Sequence, residues 1–482
     1  MKTRVKALIV YFLFVASLQL VAFGSEVVES RDQPNMIIIF TDDQGYQDIG
    51  CYGSPDIKTP ELDRMAEQGV RLTHFYVSSS VCSPSRASLL TGRLPKRHGT
   101  SGVYWPGDAG LRSIEVTIAE VLKPAGYRTA CIGKWHLGDR EGSLPTAQGF
   151  DEYYGVPFSN DMYISPRLKI AADAVFNEGW NLNQTREDQE AIAAGSGFQE
   201  RRAIASERGI GNRVPLVAGE QIVEYPADQS TLTERFFDQA IGFIERSGGE
   251  PFFIYLAPTM PHIPLYASGK FRGRSERGLY GDVIEELDWN VGRLLAFLGQ
   301  NGLDRNTLVI FTSDNGPWLE MGDHGGSALP LRGGKFDMFE GGVRVPFIAR
   351  WPGRWVEGAE SNEVVTAMDL LPTLAHYADA QLPEVPLDGV NVASHLEGPA
   401  ATLPRTFNLY TSFGPELRGI RRGNWKYLAR GAYPGWQRDR DQSPMLFDLS
   451  KDPSEKNNLY DKEAEIAAEL DKELRRLNDE IR

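Results

Sequence analysis

Asn35-Met36-Ile37-Ile38-Ile39-Phe40 runs straight into Thr41-Asp42-Asp43-Gln44-Gly45, and this stretch decides the fold. Its first six residues are a short, nearly continuous apolar run with β-branched residues at the centre. Such a run predicts a strand buried on both faces, as in a parallel sheet covered by helices. Far along the chain Thr307-Leu308-Val309-Ile310-Phe311-Thr312 repeats the pattern and ends in Ser313-Asp314-Asn315-Gly316. Tyr127 to Ile132 ends in Gly133-Lys134-Trp135-His136, and Phe252 to Leu256 ends in Ala257-Pro258-Thr259-Met260-Pro261-His262. Helical patterns fall between these runs, at Thr59 to Gln68, Thr117 to Lys123, Leu232 to Arg246 and Asp282 to Gly299. Strands alternating with helices predict a doubly wound α/β domain.

Open α/β sheets place their sites outside the carboxyl ends of their strands. Any one acidic loop cap, or a lone Lys or His at a strand end, is more often structural or solvated. Four strands that each deliver polar side chains to the same edge point to a site. Asp42, Asp43, Asp314 and Asn315 would bring four hard oxygen ligands together, a set that selects Ca²⁺ or Mg²⁺ over zinc. Further on come Asp323-His324-Gly325-Gly326 and Leu331-Arg332-Gly333-Gly334-Lys335, where glycines beside a lysine let the backbone approach a ligand closely.

Cys82-Ser83-Pro84-Ser85-Arg86 precedes Ala87-Ser88-Leu89-Leu90-Thr91-Gly92-Arg93. Pro84 suits a first helical turn, Cys82 or Ser83 a cap, and Gly92 a helix end. The cysteine would then sit at the positive end of a helix dipole with Arg86 one turn along, a place that welcomes an anion. A buried structural cysteine and a low-pKa thiol nucleophile both remain open readings. A tyrosine-phosphatase loop needs more residues between its cysteine and arginine.

The chain begins with a basic segment (Lys2, Arg4, Lys6), an apolar run from Ala7, and Ala22-Phe23-Gly24, the form of a secretory leader over residues 1–24. No cysteine at the cleavage site offers a lipid attachment point, and no other apolar run is long enough to span a bilayer. An exported protein without a stable membrane anchor is expected, periplasmic or extracellular, or lysosomal in a eukaryote. Removing the leader takes three basic residues away and moves the formal charge from −14 to −17. So acidic a chain is a poor partner for nucleic acid, and any anionic substrate must be held by a local cluster of Arg, Lys and His. The three cysteines leave Cys51 and Cys131 as the one possible disulfide if Cys82 is modified, with two free buried thiols the expected outcome.

Pro166 to Pro226 breaks the α/β rhythm with a polar segment of weak periodicity, read as a flexible insertion or a substrate-shaping loop. It contains the sequon Asn183-Gln184-Thr185. Val345 to Arg350 reads as a strand, and Val364 to Tyr377 as a helix kinked near Pro372. Near residue 400 the texture changes. Phe407 to Thr411, Leu417 to Arg421, Trp425 to Ala429 and Pro444 to Asp448 alternate like antiparallel strands. Asp452-Pro453 turns the chain into an amphipathic helix from Glu463, with Ile466, Leu470, Leu474, Leu477 and Ile481 on its apolar stripe.

Cys82-x-Pro84-Ser85-Arg86 followed by Leu90-Thr91-Gly92-Arg93 resembles the signature of the type I sulfatases, the formylglycine-dependent, arylsulfatase-like family. Other family motifs follow in order, from Asp42-Asp43 to Leu446-Phe447-Asp448-Leu449 with Asp452-Pro453 and Glu455. The resemblance implies an alkaline-phosphatase-like α/β fold: a large mixed sheet flanked by helices over residues 25–400 and a small C-terminal α+β domain over 401–482. It implies one Ca²⁺ held by Asp42, Asp43, Asp314, Asn315 and residue 82, which a maturation enzyme oxidises from cysteine to formylglycine. Arg86, Lys134, His136, His262 and Lys335 match catalytic and sulfate-holding positions, and Ser159 lies near a serine that touches the site. The implied reaction is hydrolysis of a sulfate ester, on a sulfated carbohydrate or aryl sulfate. A gem-diol at residue 82 would attack sulfur with Asp314 as base, and His262 with Lys335 would protonate the leaving alcohol. Lys134 would hold sulfate oxygens, and His136 would release the product. The alternatives are a phosphate or phosphonate ester hydrolase of the same fold, or a non-catalytic binder of sulfated glycans. Residues 160–226 and 318–324 are expected to choose the sugar.

Overall fold

The computed structural model describes residues 33–398, 403, 408–411, 414, 416–431 and 442–481. The leader at residues 1–24 and the domain boundary at 400 lie outside the described residues. Four strands, β1 (Asn35–Thr41), β2 (Arg128–Lys134), β3 (Phe252–Ala257) and β4 (Thr307–Ser313), lie parallel in the order β4-β1-β3-β2. They form the centre of an eleven-stranded mixed sheet, with Glu152–Val156 parallel beyond β2. Antiparallel pairing begins at Phe347–Arg350 on one side and at Leu216–Ala218 on the other.

The apolar run of β1 is buried along its whole length because successive side chains enter different cores. Met36, Ile38 and Phe40 join one apolar cluster, with Ala87, Leu89 and Leu90 of the Cys82–Thr91 helix. Ile37 and Ile39 join the other, with Phe236, Phe237, Val283 and Leu287 of the helices Gln229–Arg246 and Leu279–Gln300. Each fully buried side chain of this size contributes about 1.5–3 kcal/mol, so the strands that carry the site are firmly anchored on both faces. Close packing also fixes the glycine at the end of β2. A Cβ on Gly133 would lie 2.0 Å from the Ala257 carbonyl oxygen of β3.

Residues 166–226 are not a loop. They form a strand (Lys169–Phe176), two helices (Leu182–Ala194 and Phe198–Glu207) and two further strands (Leu216–Ala218, Gln221–Tyr225) that extend the main sheet to its edge. The sequence conceals this because only Ala171 of the edge strand is buried, so no alternation shows. The first helix starts at a side-chain cap, Asn181 accepting from the Gln184 amide at 3.1 Å.

Residues 364–377 also differ from the expected kinked helix. Val365–Thr366 is a strand and the helix runs from Leu370 to Tyr377, so Pro372 falls in its first turn, where its missing N–H breaks nothing. The strand expected at 345–350 is split into Arg344–Val345 and Phe347–Arg350, which belong to different sheets. Cys51, Cys82 and Cys131 are unpaired, and Cys51 is half-buried rather than buried.

The C-terminal part is a four-stranded antiparallel sheet, Asn408–Tyr410, Gly419–Arg422, Trp425–Leu428 and Met445–Asp448. The helix Ala464–Glu480 lays Ala467, Leu470 and Leu474 on it, with Ile466 and Leu477 partly buried at the margin. Where this small sheet meets the three-stranded sheet of Phe75–Tyr76, Arg344–Val345 and Val365–Thr366, a charged group is wholly enclosed. Lys426 Nζ lies 2.9 Å from Glu340 Oε1 and 3.0 Å from Glu455 Oε1. Tyr76 donates to Glu340 Oε2 at 2.6 Å, and the Glu340 amide donates to Glu455 Oε2 at 2.6 Å.

Candidate active site

The pairing of Thr41 with Ser313 brings Asp42-Asp43 out of the sheet directly beside Asp314-Asn315. The Asp43 amide donates to Asp314 Oδ1 at 3.1 Å, and Asn315 Nδ2 donates to Asp43 Oδ1 at 2.7 Å. Asp43 adopts φ 62°, a left-handed conformation that non-glycine residues rarely take and that tends to persist where a site needs it.

Cys82 is the first residue of the Cys82–Thr91 helix. The cap is Val81 rather than Cys82 or Ser83, with no side-chain cap, and Gly92 closes the helix at φ 67°. The Cys82 sulfur lies 3.6 Å from Asp42 Oδ1. Arg86, one turn along, places Nη2 2.7 Å and Nε 3.0 Å from Asp314 Oδ2, while Nη1 reaches the Lys134 carbonyl at 3.3 Å and the Tyr255 hydroxyl at 3.2 Å. Lys134 pairs with Asp42 Oδ2 and lies 3.3 Å from Ser159 Oγ. Lys335 Nζ is 2.8 Å from Asp43 Oδ2 and 4.5 Å from the centre of the Trp318 ring.

The two histidines are oriented by backbone carbonyls, which can only accept. His136, at φ 57°, therefore donates from Nε2 to the Tyr104 carbonyl at 3.1 Å. That leaves its buried Nδ1 as an acceptor with no partner among the described residues. His262 donates from Nδ1 toward the Ile263 carbonyl at 2.5 Å, with Asn160 Oδ1 at 3.1 Å. Its Nε2 lone pair then faces Asp43 Oδ2 at 3.5 Å, and Ser159 Oγ lies 3.3 Å from it. Burial and then Lys134 hold His136 well below its usual range, and burial and then Lys335 lower His262, so both rings are neutral.

Burial would raise Asp42, but Lys134, then His262, Arg86 and Lys335 outweigh it and keep the carboxylate ionised. Burial and then the Asp42 charge push Asp314 up to about 7 against the pull of Arg86. Burial also lifts the Cys82 thiol well above its usual range, so the helix N-terminus does not yield a thiolate here.

Carboxylate, thiol and imidazole atoms of Asp42, Asp43, Cys82 and His262 all lie within 4.8 Å of one another. Asp314 and Asn315 join this group through their bonds to Asp43. A cation fits these residues. The Asn315 Oδ1 atom is buried without a partner, and two acceptors, His262 Nε2 and Asp43 Oδ2, face each other. The donors are mostly carboxylate and amide oxygens, the set preferred by Ca²⁺. Three buried carboxylates (Asp42, Asp43, Asp314) already balance Arg86, Lys134 and Lys335, so a divalent ion would leave the site positive and ready for an anion.

All the site residues read from the sequence therefore converge here, including Ser159. Sequence reasoning missed Tyr255, Asn160 and Tyr104. Asn160 adjoins Ser159, which was a signal in reach, whereas Tyr255 reads as strand interior and Tyr104 contributes through its backbone.

Residues 34–380 match the model of the family described as Sulfatase, and residues 334–480 match that of N-sulphoglucosamine sulphohydrolase, C-terminal. This chain belongs to the sulfatase family. It is accordingly a sulfuric ester hydrolase. The sulfatase is 39% identical to arylsulfatase A of Bos taurus, a match that covers 90% of this chain and 85% of the relative. It is 32% identical to N-acetylgalactosamine-6-sulfatase of Rattus norvegicus, over 90% of this chain and 83% of that one. The crystal structure of Ps i-CgsB in complex with a neocarrahexaose superposes with a TM-score of 0.73 at 29% identity, covering 92% of this chain and 93% of the other. Among the described residues no helix is long and apolar enough to cross a membrane.

Proposed function

We propose that this sulfatase hydrolyses sulfate esters on saccharides, using formylglycine made from Cys82 and one Ca²⁺ held by Asp42, Asp43, Asp314 and Asn315 at residue 82. The observation that carries the reading is the placement of Cys82 at a helix start, 3.6 Å from a carboxylate of the oxygen-rich cluster and one turn from Arg86. The hydrated aldehyde would supply one hydroxyl to attack sulfur and a second through which sulfate is expelled, and the metal would polarise the sulfate oxygens. A plain thiol cannot provide the second hydroxyl, which explains why the buried Cys82 needs no lowered pKa.

The chain's own residues fill the other roles. Arg86 orients Asp314, the base, through two nitrogens on one carboxylate oxygen. Lys134, anchored on Asp42, holds sulfate oxygens as charge redistributes. His136 offers the unpaired Nδ1 as the acceptor for the proton that must leave before product departs. Lys335 supplies the proton of the leaving alcohol, keeping its charge because the Asp43 and Asp42 carboxylates outweigh its burial, and neutral His262 beside it offers its Nε2 lone pair as an acceptor that orients the departing group. A saccharide substrate is supported by the neighbour crystallised with an oligosaccharide and by the relative named for N-acetylgalactosamine 6-sulfate. Export through the segment at residues 1–24 is part of the same reading.

Cys82→Ala tests it. Turnover of an aryl or sugar sulfate should fall by at least roughly 10⁴-fold while the melting temperature stays within a few degrees, and retained activity refutes the reaction. Intact mass of active protein should place residue 82 about 18 Da below cysteine. Chelation followed by Ca²⁺ should remove and then restore activity.

A further inference from the structure

An open cavity of about 450 Å³, within the range of about 300–1,000 Å³ usual for small-molecule sites, shares Tyr104 with the shell around the catalytic group. One wall is the segment from Gly99 to Ala109, including Ser101 and Tyr104. This wall is bonded into the catalytic machinery at two points. The Tyr104 carbonyl accepts from His136, and the Tyr104 amide donates to Ser83 Oγ at 3.1 Å, one residue from Cys82. A second wall is Arg140, four residues beyond His136. The third is Ser196, Gly197 and Arg201, at the start of the Phe198–Glu207 helix in the inserted region.

The walls are braced. Trp105 stacks on Tyr163 at 6.2 Å and on Phe198 at 5.6 Å, and Arg201 pairs with Asp108 at 2.5 Å. Arg167 donates to the carbonyls of Gly107 and Asp108 and pairs with Asp139. These pairs satisfy Asp108 and Arg201 of the lining and Asp139 and Arg167 behind it, while Arg202 lies over the Trp105 ring. Arg140 is exposed to the cavity's solvent, and its guanidinium has no partner among the described residues. With Asp108 offsetting Arg201, the lining carries one unbalanced positive charge, on a protein whose formal charge is −14.

Resting on the sulfatase reading above, we infer that this cavity is a second sugar subsite, for an anionic saccharide unit next to the one that loses its sulfate. Arg140 pairs with the carboxylate or second sulfate of that neighbouring unit, and the Ser101 and Tyr104 wall faces its ring. The substrate is therefore an acidic oligosaccharide carrying more than the one charged group that is hydrolysed. A guanidinium fork matches both carboxylate and sulfate oxygens, which is why one residue serves either anion.

The test compares Arg140→Ala and Arg140→Lys with the wild-type full-length enzyme on three sulfated disaccharides. In these the neighbouring sugar is neutral, a uronic acid, or itself sulfated. Arg140→Ala should lower kcat/KM on at least one acidic disaccharide about tenfold relative to the neutral one, chiefly through KM, and Arg140→Lys should restore part of it. The arm that changes identifies the anion. An unchanged acidic-to-neutral ratio in both arms overturns the subsite. Failure of the sulfatase reading looks different: the wild type hydrolyses none of the three. Calorimetric binding of the same disaccharides to wild type and Arg140→Ala still decides the subsite then, since equal affinities refute it.

Discussion

Two buried charge clusters in this molecule are built from the same residue types and do opposite things. At the junction of the two sheets, Glu340, Glu455 and Lys426 are fully enclosed; three of the four carboxylate oxygens accept hydrogen bonds from Lys426, Tyr76 or a backbone amide, and the fourth, Glu455 Oε1, is held by the Lys426 charge at 3.0 Å. At the ends of β1 and β4 the carboxylates of Asp42, Asp43 and Asp314 are just as buried, but the surroundings are left incomplete. His136 Nδ1 and Asn315 Oδ1 have no partner, Asp43 and His136 hold left-handed backbone, and two acceptors face each other across 3.5 Å. Closure marks a cluster that joins parts of the fold. Unspent hydrogen-bonding capacity marks one that awaits an ion and a substrate.

The comparison can be broken most severely at Lys134. Lys134→Met should cut turnover roughly 10³-fold. The melting temperature in excess Ca²⁺ should move little, because a divalent ion takes up the charge of Asp42. A melting-temperature loss that Ca²⁺ fails to relieve would place Lys134 with the structural cluster. Lys426→Met should do the reverse. It leaves two glutamates buried together and should cost about 3–5 kcal/mol of stability, read by denaturant titration, with no Ca²⁺ rescue and with turnover per folded molecule kept.

The smallest effect is a pH dependence at the junction. Burial, and then Glu340 against the pull of Lys426, pushes Glu455 up to about 7. Lys426, Arg344 and Arg421 overcome burial and hold Glu340 down to about 2. Glu455 binds its proton more tightly in the folded state, so its contribution is complete below its unfolded value of 4.5 and is lost as pH rises through about 7. Glu340 contributes fully above 4.5 and loses that only as pH falls toward about 2. Glu455→Gln should therefore lessen the fall in stability between pH 5 and pH 8 by on the order of 1 kcal/mol. An identical pH profile in the variant would show that the proton is held elsewhere.

The active cluster was legible in the sequence and the junction cluster was not, for a physical reason. Asp42, Asp314 and His262 follow apolar strands and Lys134 ends a fourth, so the topology of a parallel sheet brings them together whatever the details of packing. Glu340, Lys426 and Glu455 come from a short helix, a strand of the small sheet and a turn, and only docking of the two sheets makes them neighbours. The same logic explains the segment at 166–226. Its edge strand exposes most of its side chains, so it lacks the pattern that identifies an interior strand, and its helices are announced mainly by the cap at Asn181.

Residue 82 is 1% exposed, at the start of a helix whose residues are all buried. An oxidising catalyst large enough to be a protein has no route to that sulfur once the sheet has closed. If formylglycine is what this position carries, timing matters as much as sequence. The alteration must be made on a chain still extended, during synthesis or translocation, and folding that outruns it would lock in an intact but inert molecule.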